Sequence, residues 1–440
     1  MELDYDASSK ASILATAKKL TGKTLNESCT IPREIQNKAN KGDLGILVEN
    51  YFFGINPGNS AKPDFPEAGL ELKTTGLVRR RDGSLKAKER LSLTSLNFME
   101  IVKEDWITST FVRKCSSMLL LFYEYVKDSS VIDRKFIIDP MVYELPPEDL
   151  PQLKRDWETI QKKILDGKAH ELSEGDTFYL GACRKGSGGP DEKLLSQPFS
   201  EIKAKSRAFS FKPSYLDVII NAHLNSLPSI SSTGSETIEG ATYKRFSKYL
   251  GKTIDEISRD VNYFRSSVNH KSFNRTLAER ILSSEGSSYK ELTKAGIQMK
   301  TVVLQPNGTP KESMSFDVFE YMKIGQEFWE TSDFCASLEQ KVLFVVFQDG
   351  RDGTRRLSKV AYWNMPYQDR EEARRVWELT QARVAVDASN LPKTRDSRVA
   401  HVRPKGRNAA DVLPTPQGTN LTKQCFWLNA RYIGEIIQNL

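Results

Sequence analysis

Along the first 170 residues the apolar positions change their period several times. In "SKASILATAKKL" (Ser9–Leu20) and "LGILVENYF" (Leu44–Phe52) they recur at three- and four-residue spacing, which predicts helices with one apolar face. "GLELKTT", "ERLSLTSLNF", "SMLLLFYEY" and "KFIIDP" instead alternate or run apolar, and these predict strands. "DLPQLKRDWETIQKKILDG" then returns to the helical period and stops at Gly167. Helices, then strands, then a helix make a mixed α/β unit with a central sheet.

The same order of segments recurs further on. "GKTLNE" from Gly22 matches "GKTIDE" from Gly251, and "EAGLELKTTG" matches "TKAGIQMKTV". Lys41 and Glu49 in "KGDLGILVE" are spaced like Lys271 and Glu279 in "KSFNRTLAE". "KERLSLTSLNFMEIVKEDW" from Lys88 lies over "KESMSFDVFEYMKIGQEFW" from Lys311 without a gap, and "FSFKPSY" from Phe209 parallels "FWLNARY" from Phe426. The offset stays between 217 (Phe209 to Phe426) and 230 (Lys41 to Lys271), in chain order. The chain therefore reads as two copies of one fold. The Ser-, Thr-, Gly- and Pro-rich stretch Ser226–Gly240, "SLPSISSTGSETIEG", is the expected linker.

Composition narrows the class. At 440 residues the chain exceeds one comfortable core, and 39% apolar with 28% charged residues excludes wholesale disorder. The five cysteines are scattered and contain no C-x-x-C pair, which suits reduced thiols in a cytoplasm better than a disulfide frame or a zinc site. The longest apolar runs are too short to span a bilayer, and "MELDYDASSK" has no features of a targeting peptide. A formal charge of +7 suits a phosphate-rich partner and equally suits many enzymes.

The candidate chemistry lies on "GLELKT". A strand period of two puts Glu71 and Lys73 on one face, and Asp64 precedes them by a turn built on Pro66 and Gly69. Two carboxylates beside an ammonium suit phosphodiester hydrolysis. Asp64 and Glu71 offer hard oxygen ligands for Mg²⁺, and Lys73 can orient the attacking water or pair with the scissile phosphate. Glu49 could add a third carboxylate, with Lys41 two helical turns earlier on roughly the same side. As a bare pattern D-x6-E-x-K also describes a solvated strand face. The flanking "ILVENYF" and the twin element at Lys300 favour the site.

"KGDLGILVE" followed by "DFPEAGLELKT" resembles the active-site region of the MutH-like endonucleases, within the PD-(D/E)xK nuclease superfamily. The resemblance continues through "DWETIQKKILDGKAHELSEGDTFYL" and "KAKSRAFSFKPSY", and the whole chain is similar to the two-domain, GATC-cutting type II restriction endonucleases of that family. It implies Asp64 and Glu71 as metal ligands, Lys73 as the catalytic lysine, and auxiliary roles for Glu49 and Lys41. The family's acid-proline pair is here Lys62-Pro63-Asp64, which still leaves an acid at 64. It further implies a catalytic domain at 1–226, a linker at 227–240 and a degenerate DNA-binding domain at 241–440. The alternatives are a mismatch-repair nicking enzyme and a noncatalytic GATC-binding protein.

Contacts with double-stranded DNA are expected from "ACRKGSGGPDEKLLSQP", which resembles the family's recognition loop. Arg184 and Lys185 are candidates for groove contact, and Lys203, Lys205 and Arg207 for phosphates. The basic "GLVRRRDGSLKAK" is expected to form a hairpin along the DNA backbone. In the second copy, "HVRPKGRNAADVLP" places Arg403 and Lys405 in equivalent positions. There Gln298 replaces the Glu71 equivalent, Glu291 could stand in for Asp64, and Lys300 remains, with Lys271 and Glu279 on the helix. An amide supplies no negative charge for Mg²⁺, so this copy is expected to bind DNA, at a second GATC site or as a clamp, without cutting it. A monomer that associates on DNA is expected.

Overall fold

The structure, a computed structural model, describes residues 4–36, 43–56, 62–186, 188–225, 237–264, 272–283 and 288–440. Lys41, Lys271 and most of the expected linker lie outside these residues.

The first half begins its functional part with the short helix α1 (Leu44–Leu47), which runs on into a π-helical turn, Val48–Phe52. Strand β1 (Glu71–Arg79) follows, and then β2 (Leu91–Ser95), helix α2 (Thr110–Cys115), β3 (Ser117–Glu124) and β4 (Phe136–Glu144). β1 pairs in parallel with β3, and β3 pairs antiparallel with β4. The expected hairpin forms, with Leu85–Ala87 paired to the far end of β1. Helix α3 (Leu150–Leu165) ends near Gly167, whose φ of +69° and a Cβ position 2.6 Å from the Phe199 carbonyl oxygen leave room only for glycine. Strands β5 (Leu180–Arg184) and β6 (Arg207–Phe211) make a second sheet in the order β2-β6-β5, and helix α4 (Pro213–Leu224) closes the half.

The second half repeats this plan. Helices α5 (Phe273–Ser283) and α6 (Ser288–Lys294) lead into strand β7 (Gln298–Leu304), followed by β8 (Met314–Val318), β9 (Val342–Asp349) and β10 (Arg355–Trp363). β7 is parallel to β9, which is antiparallel to β10. After helix α7 (Tyr367–Val386), strands β11 (Ala400–Pro404) and β12 (Gln424–Leu428) complete a sheet ordered β8-β12-β11, and helix α8 (Ala430–Asn439) ends the chain.

The duplication extends to single hydrogen bonds. Gln161 on α3 donates to the Ile101 and Glu104 carbonyls at 2.8 Å each, and Gln381 on α7 donates to those of Ile324 and Glu327 at 2.8 and 3.0 Å. Both "GKT" elements form a left-handed glycine followed by a capping box, Thr24 with Glu27 and Thr253 with Glu256.

One apolar core runs through both halves: Leu77, Trp157, Tyr179 and Tyr215 from the first join Leu277, Leu292, Leu343 and Val360 from the second. Phe178 and Tyr362 meet edge to face across it at 5.4 Å. The seam also holds a buried ion pair, Lys294 to both oxygens of Asp149 at 2.6 and 2.7 Å. Among the described residues no helix is long and apolar enough to cross a membrane.

Candidate active site

β1 carries the site. It pairs on both edges and forms part of the wall of an open cleft, and Glu71 on it is only 2% exposed. Leu72 and Glu71 are both buried. A buried carboxylate needs partners. Glu71 Oε1 takes the Lys73 ammonium at 2.7 Å and the Lys114 ammonium at 3.2 Å, while Glu71 Oε2 is buried with no partner among the described residues. Asp64 Oδ2 accepts the Leu72 backbone N–H at 2.8 Å, which fixes the turn before the strand. Glu49, on the π-helical turn, completes the wall of the same open cleft of about 1070 Å³.

Electrostatics follow from this crowding. Burial raises the Glu71 carboxyl above its ordinary range, even against the pull of Lys73 and Lys114. Burial and the nearby Asp64 charge push Glu49 up to about 7. Burial lowers the Lys73 ammonium, but the adjoining Glu71 charge more than offsets it, so Lys73 is held protonated above its ordinary value.

These residues fit a divalent cation. They line a cleft with three carboxylates, Glu49, Asp64 and Glu71, and leave one buried carboxylate oxygen unsatisfied. No three carboxylate, imidazole or thiolate groups among the described residues converge into a closed cage. A cation would thus take two carboxylates and fill its shell with other oxygens, as Mg²⁺ sites commonly do.

Lys114 was not among the residues singled out from sequence. It lies in the last turn of α2, whose packing against the start of β3 delivers its side chain to Glu71. No local pattern marks it; only the parallel pairing of β1 and β3 brings it in.

The expected DNA-contact residues divide. Lys185 lines the same cleft and donates to Ser95 Oγ at 2.9 Å, and Lys203 is exposed. Three others are corrected. Arg184 points into the seam between halves, donating to the Glu330 carbonyl and lying 3.8 Å from the Glu339 carboxylate. Lys205 pairs with Glu330 and, at 2.9 Å, with Glu192. Arg207 is buried and donates to the Ala182 carbonyl at 2.6 Å and to that of Leu172, serving the fold. In the second half Arg403 and Lys405 are exposed, and Arg403 lies over the Trp427 ring at 4.5 Å.

Among the described residues the second copy lacks the carboxylate cluster. Gln298 and Lys300 hold the places of Glu71 and Lys73 in register: Glu71 and Lys73 face Met118 and Leu120, and Gln298 and Lys300 face Val342 and Phe344. The Gln298 amide donates to Gln340 Oε1, and Glu279 accepts from Arg275 Nε at 3.0 Å. The expected substitute for Asp64 is corrected. Glu291 lies on helix α6 instead of a turn, and its carboxylate is buried in the seam against the Tyr179 hydroxyl.

A two-sheet α/β fold with an acid, a buried Glu-x-Lys strand and a cleft large enough for a nucleic-acid backbone defines a nuclease. The family model of the DNA mismatch repair enzyme MutH matches residues 53–156 and again 282–375, once in each half. The type II restriction enzyme Sau3AI of Staphylococcus aureus is 32% identical over 92% of this chain and 94% of its own length. The mismatch repair proteins MutH of Serratia proteamaculans and Shewanella baltica are 26% and 27% identical, covering 90% and 83% of themselves but only 47% and 44% of this chain. The chain belongs to the MutH-like family of type II restriction endonucleases, in a form with the unit present twice.

Proposed function

We propose that the chain is a Mg²⁺-dependent type II restriction endonuclease of the cytoplasm that hydrolyses both strands of double-stranded DNA at GATC. Residues 1–226 would cut and residues 241–440 would bind DNA without cutting. The observation that carries this reading is the contrast between Glu71, buried with one free oxygen beside Asp64 and Lys73, and Gln298, an amide at the same register. The similarity to Sau3AI, a restriction enzyme over nearly its whole length, supports the GATC assignment.

Asp64 and Glu71 would hold the cation, which when bound supplies Lewis-acid stabilisation of charge on the phosphate oxygens. Lys73, kept protonated by Glu71, is a poor proton acceptor and a good electrostatic partner for the scissile phosphate or the attacking water. Glu49, pushed up to about 7, is the better candidate to accept a proton in the cleft. Lys185 would approach the DNA across the same opening.

The test is a digest of defined plasmids with the ends sequenced. Linear product cut at GATC is the expected result; nicked product would favour a mismatch-repair type of activity, and no product with Mg²⁺ a noncatalytic binder. Faster cleavage of two-site than of one-site plasmids would show that the second half engages another GATC and couples to the first. Equal rates would leave it a clamp.

A further inference from the structure

The duplicated elements differ where the second half touches the first. In the gap-free overlay of the halves Trp106 matches Trp329, and each packs on a tryptophan of the long helix that follows. The ring centroids are 6.0 Å apart for Trp106 and Trp157 and 5.9 Å apart for Trp329 and Trp377. The next residue is Ile107 in the first half, 81% exposed, and Glu330 in the second, with a side chain only 8% exposed. Glu330 is buried against the loop that leaves β5 of the first half, the loop that carries Lys185.

Glu330 Oε1 pairs with the Lys205 ammonium at the end of the strand Ser200–Lys205, and Glu330 Oε2 accepts the Gly189 backbone N–H at 3.4 Å. The Glu330 carbonyl accepts from Arg184, the last residue of β5. The loop backbone is shaped for this approach. Gly188 and Gly189 have φ of +79° and +99°, and a Cβ on them would lie 3.2 Å from Glu330 Cβ and 3.1 Å from the Phe328 ring. On another side the loop borders an open hollow of about 400 Å³, lined by Gly186, Pro190, Lys193 and Ser206 among others. Lys185 lies between the anchors. Its N–H donates to the Ser206 carbonyl at 2.9 Å, and its ammonium reaches Ser95 Oγ at 2.9 Å in the wall of the catalytic cleft. Burial raises the Glu330 carboxyl, but its bond to Lys205 and the Lys205 and Arg374 charges more than offset this and hold it below its ordinary value. The anchor is therefore a charged one.

We propose that Glu330 is a positioning residue for DNA binding at the first site: from the second half, it fixes the loop that presents Lys185 to the catalytic cleft. The inference rests on the reading that Lys185 approaches DNA across that cleft, and it adds what holds the lysine there. Glu330 itself acts only through the loop. The second half thus completes the substrate-binding wall of the first with an ion pair and a backbone hydrogen bond, independently of any DNA that it binds itself.

The test is steady-state cleavage of a short GATC duplex by the full chain with Mg²⁺, with KM and kcat measured separately. Glu330→Gln keeps the size of the side chain and removes its charge. It is expected to raise KM about tenfold, the low end for a lost charge-assisted hydrogen bond, and to leave kcat within about twofold. Gly189→Ala, which sets a methyl against Phe328 from the loop side, should raise KM likewise. In a Lys185→Ala background, where KM is already raised, Glu330→Gln should add less than about twofold, because both changes act through one ammonium. A Glu330→Gln effect on KM that multiplies fully with that of Lys185→Ala overturns the proposal. So does a lowered KM, which would mean that the loop is held away from DNA. If Lys185→Ala raises KM and Glu330→Gln leaves it unmoved, the inference alone fails, and a lowered melting temperature would then mark the ion pair as merely structural. If Lys185→Ala does not raise KM, or the unaltered chain does not cut the duplex, the underlying reading fails and the inference with it. Should Glu330→Gln not fold, Gly189→Ala in the same two backgrounds decides by the same criteria.

Discussion

Lys294→Met should destabilise the whole chain, and the structure sets the size of the effect. The Lys294 ammonium sits 2.6 and 2.7 Å from the two oxygens of Asp149, with side chains 6% and 1% exposed. It also lies 5.1 and 5.2 Å from the ring centroids of Tyr179 and Tyr215. Removing the ammonium strands a buried carboxylate with the Tyr215 hydroxyl, 2.7 Å from Oδ2, as its remaining side-chain partner. Breaking one side of such a pair costs about 3–5 kcal/mol. Asp149→Asn with Lys294→Met removes both charges, so the double variant should recover a substantial part of that loss. Urea unfolding followed by tryptophan fluorescence and by circular dichroism would give the cycle. Because Asp149 starts a helix of the first half and Lys294 ends one of the second, both signals should shift together. A single-variant cost below about 1 kcal/mol, or strict additivity in the cycle, would refute the view that this pair locks the halves.

Glu71→Ala should lower cleavage by about 1000-fold or more, as expected when a preorganised electrostatic group is lost, while duplex binding in EDTA is retained; gel assays of cleavage and binding decide it. Arg184→Ala should cost about 2–4 kcal/mol in urea unfolding and leave base preference unchanged, since the guanidinium serves Glu330 and Glu339 in the seam. A changed cleavage sequence with unaltered stability would return it to the DNA interface. Glu291 is raised by burial from 4.5 to about 6 in the fold. Its contribution to stability is therefore full below about pH 4.5 and lost as pH rises through about 6, a difference of about 2 kcal/mol. Glu291→Gln should stabilise the chain by up to that amount at pH 7.5 and by little at pH 4.5, as read from unfolding curves at the two pH values.

The elements of the first half were legible because periodicity and turn residues are local properties: the strands at Glu71 and Ser117 and the long helix at Leu150 follow directly from apolar spacing. The Asp64, Glu71 and Lys73 grouping was legible for the same reason, being confined to ten residues of chain. What escaped depends on residues far apart. Arg184 and Lys205 look like free cations until Glu330 and Glu339 arrive from the other half. Lys114 meets Glu71 only because β3 pairs in parallel with β1. Glu291 lies in a helix where the first half has a turn, a difference that alignment of charges alone cannot reveal.

The core shared by the two halves also bears on how such a chain can change over generations. The second unit carries Gln298 at the register where the first carries Glu71. Leu343, Val360 and Tyr362 wall the same interior as Trp157 and Phe178. A truncation that discarded the second unit would strip apolar cover from the first. The second copy thus contributes to the interior of the first whether or not it touches DNA, so its removal is a change to the stability of the whole chain.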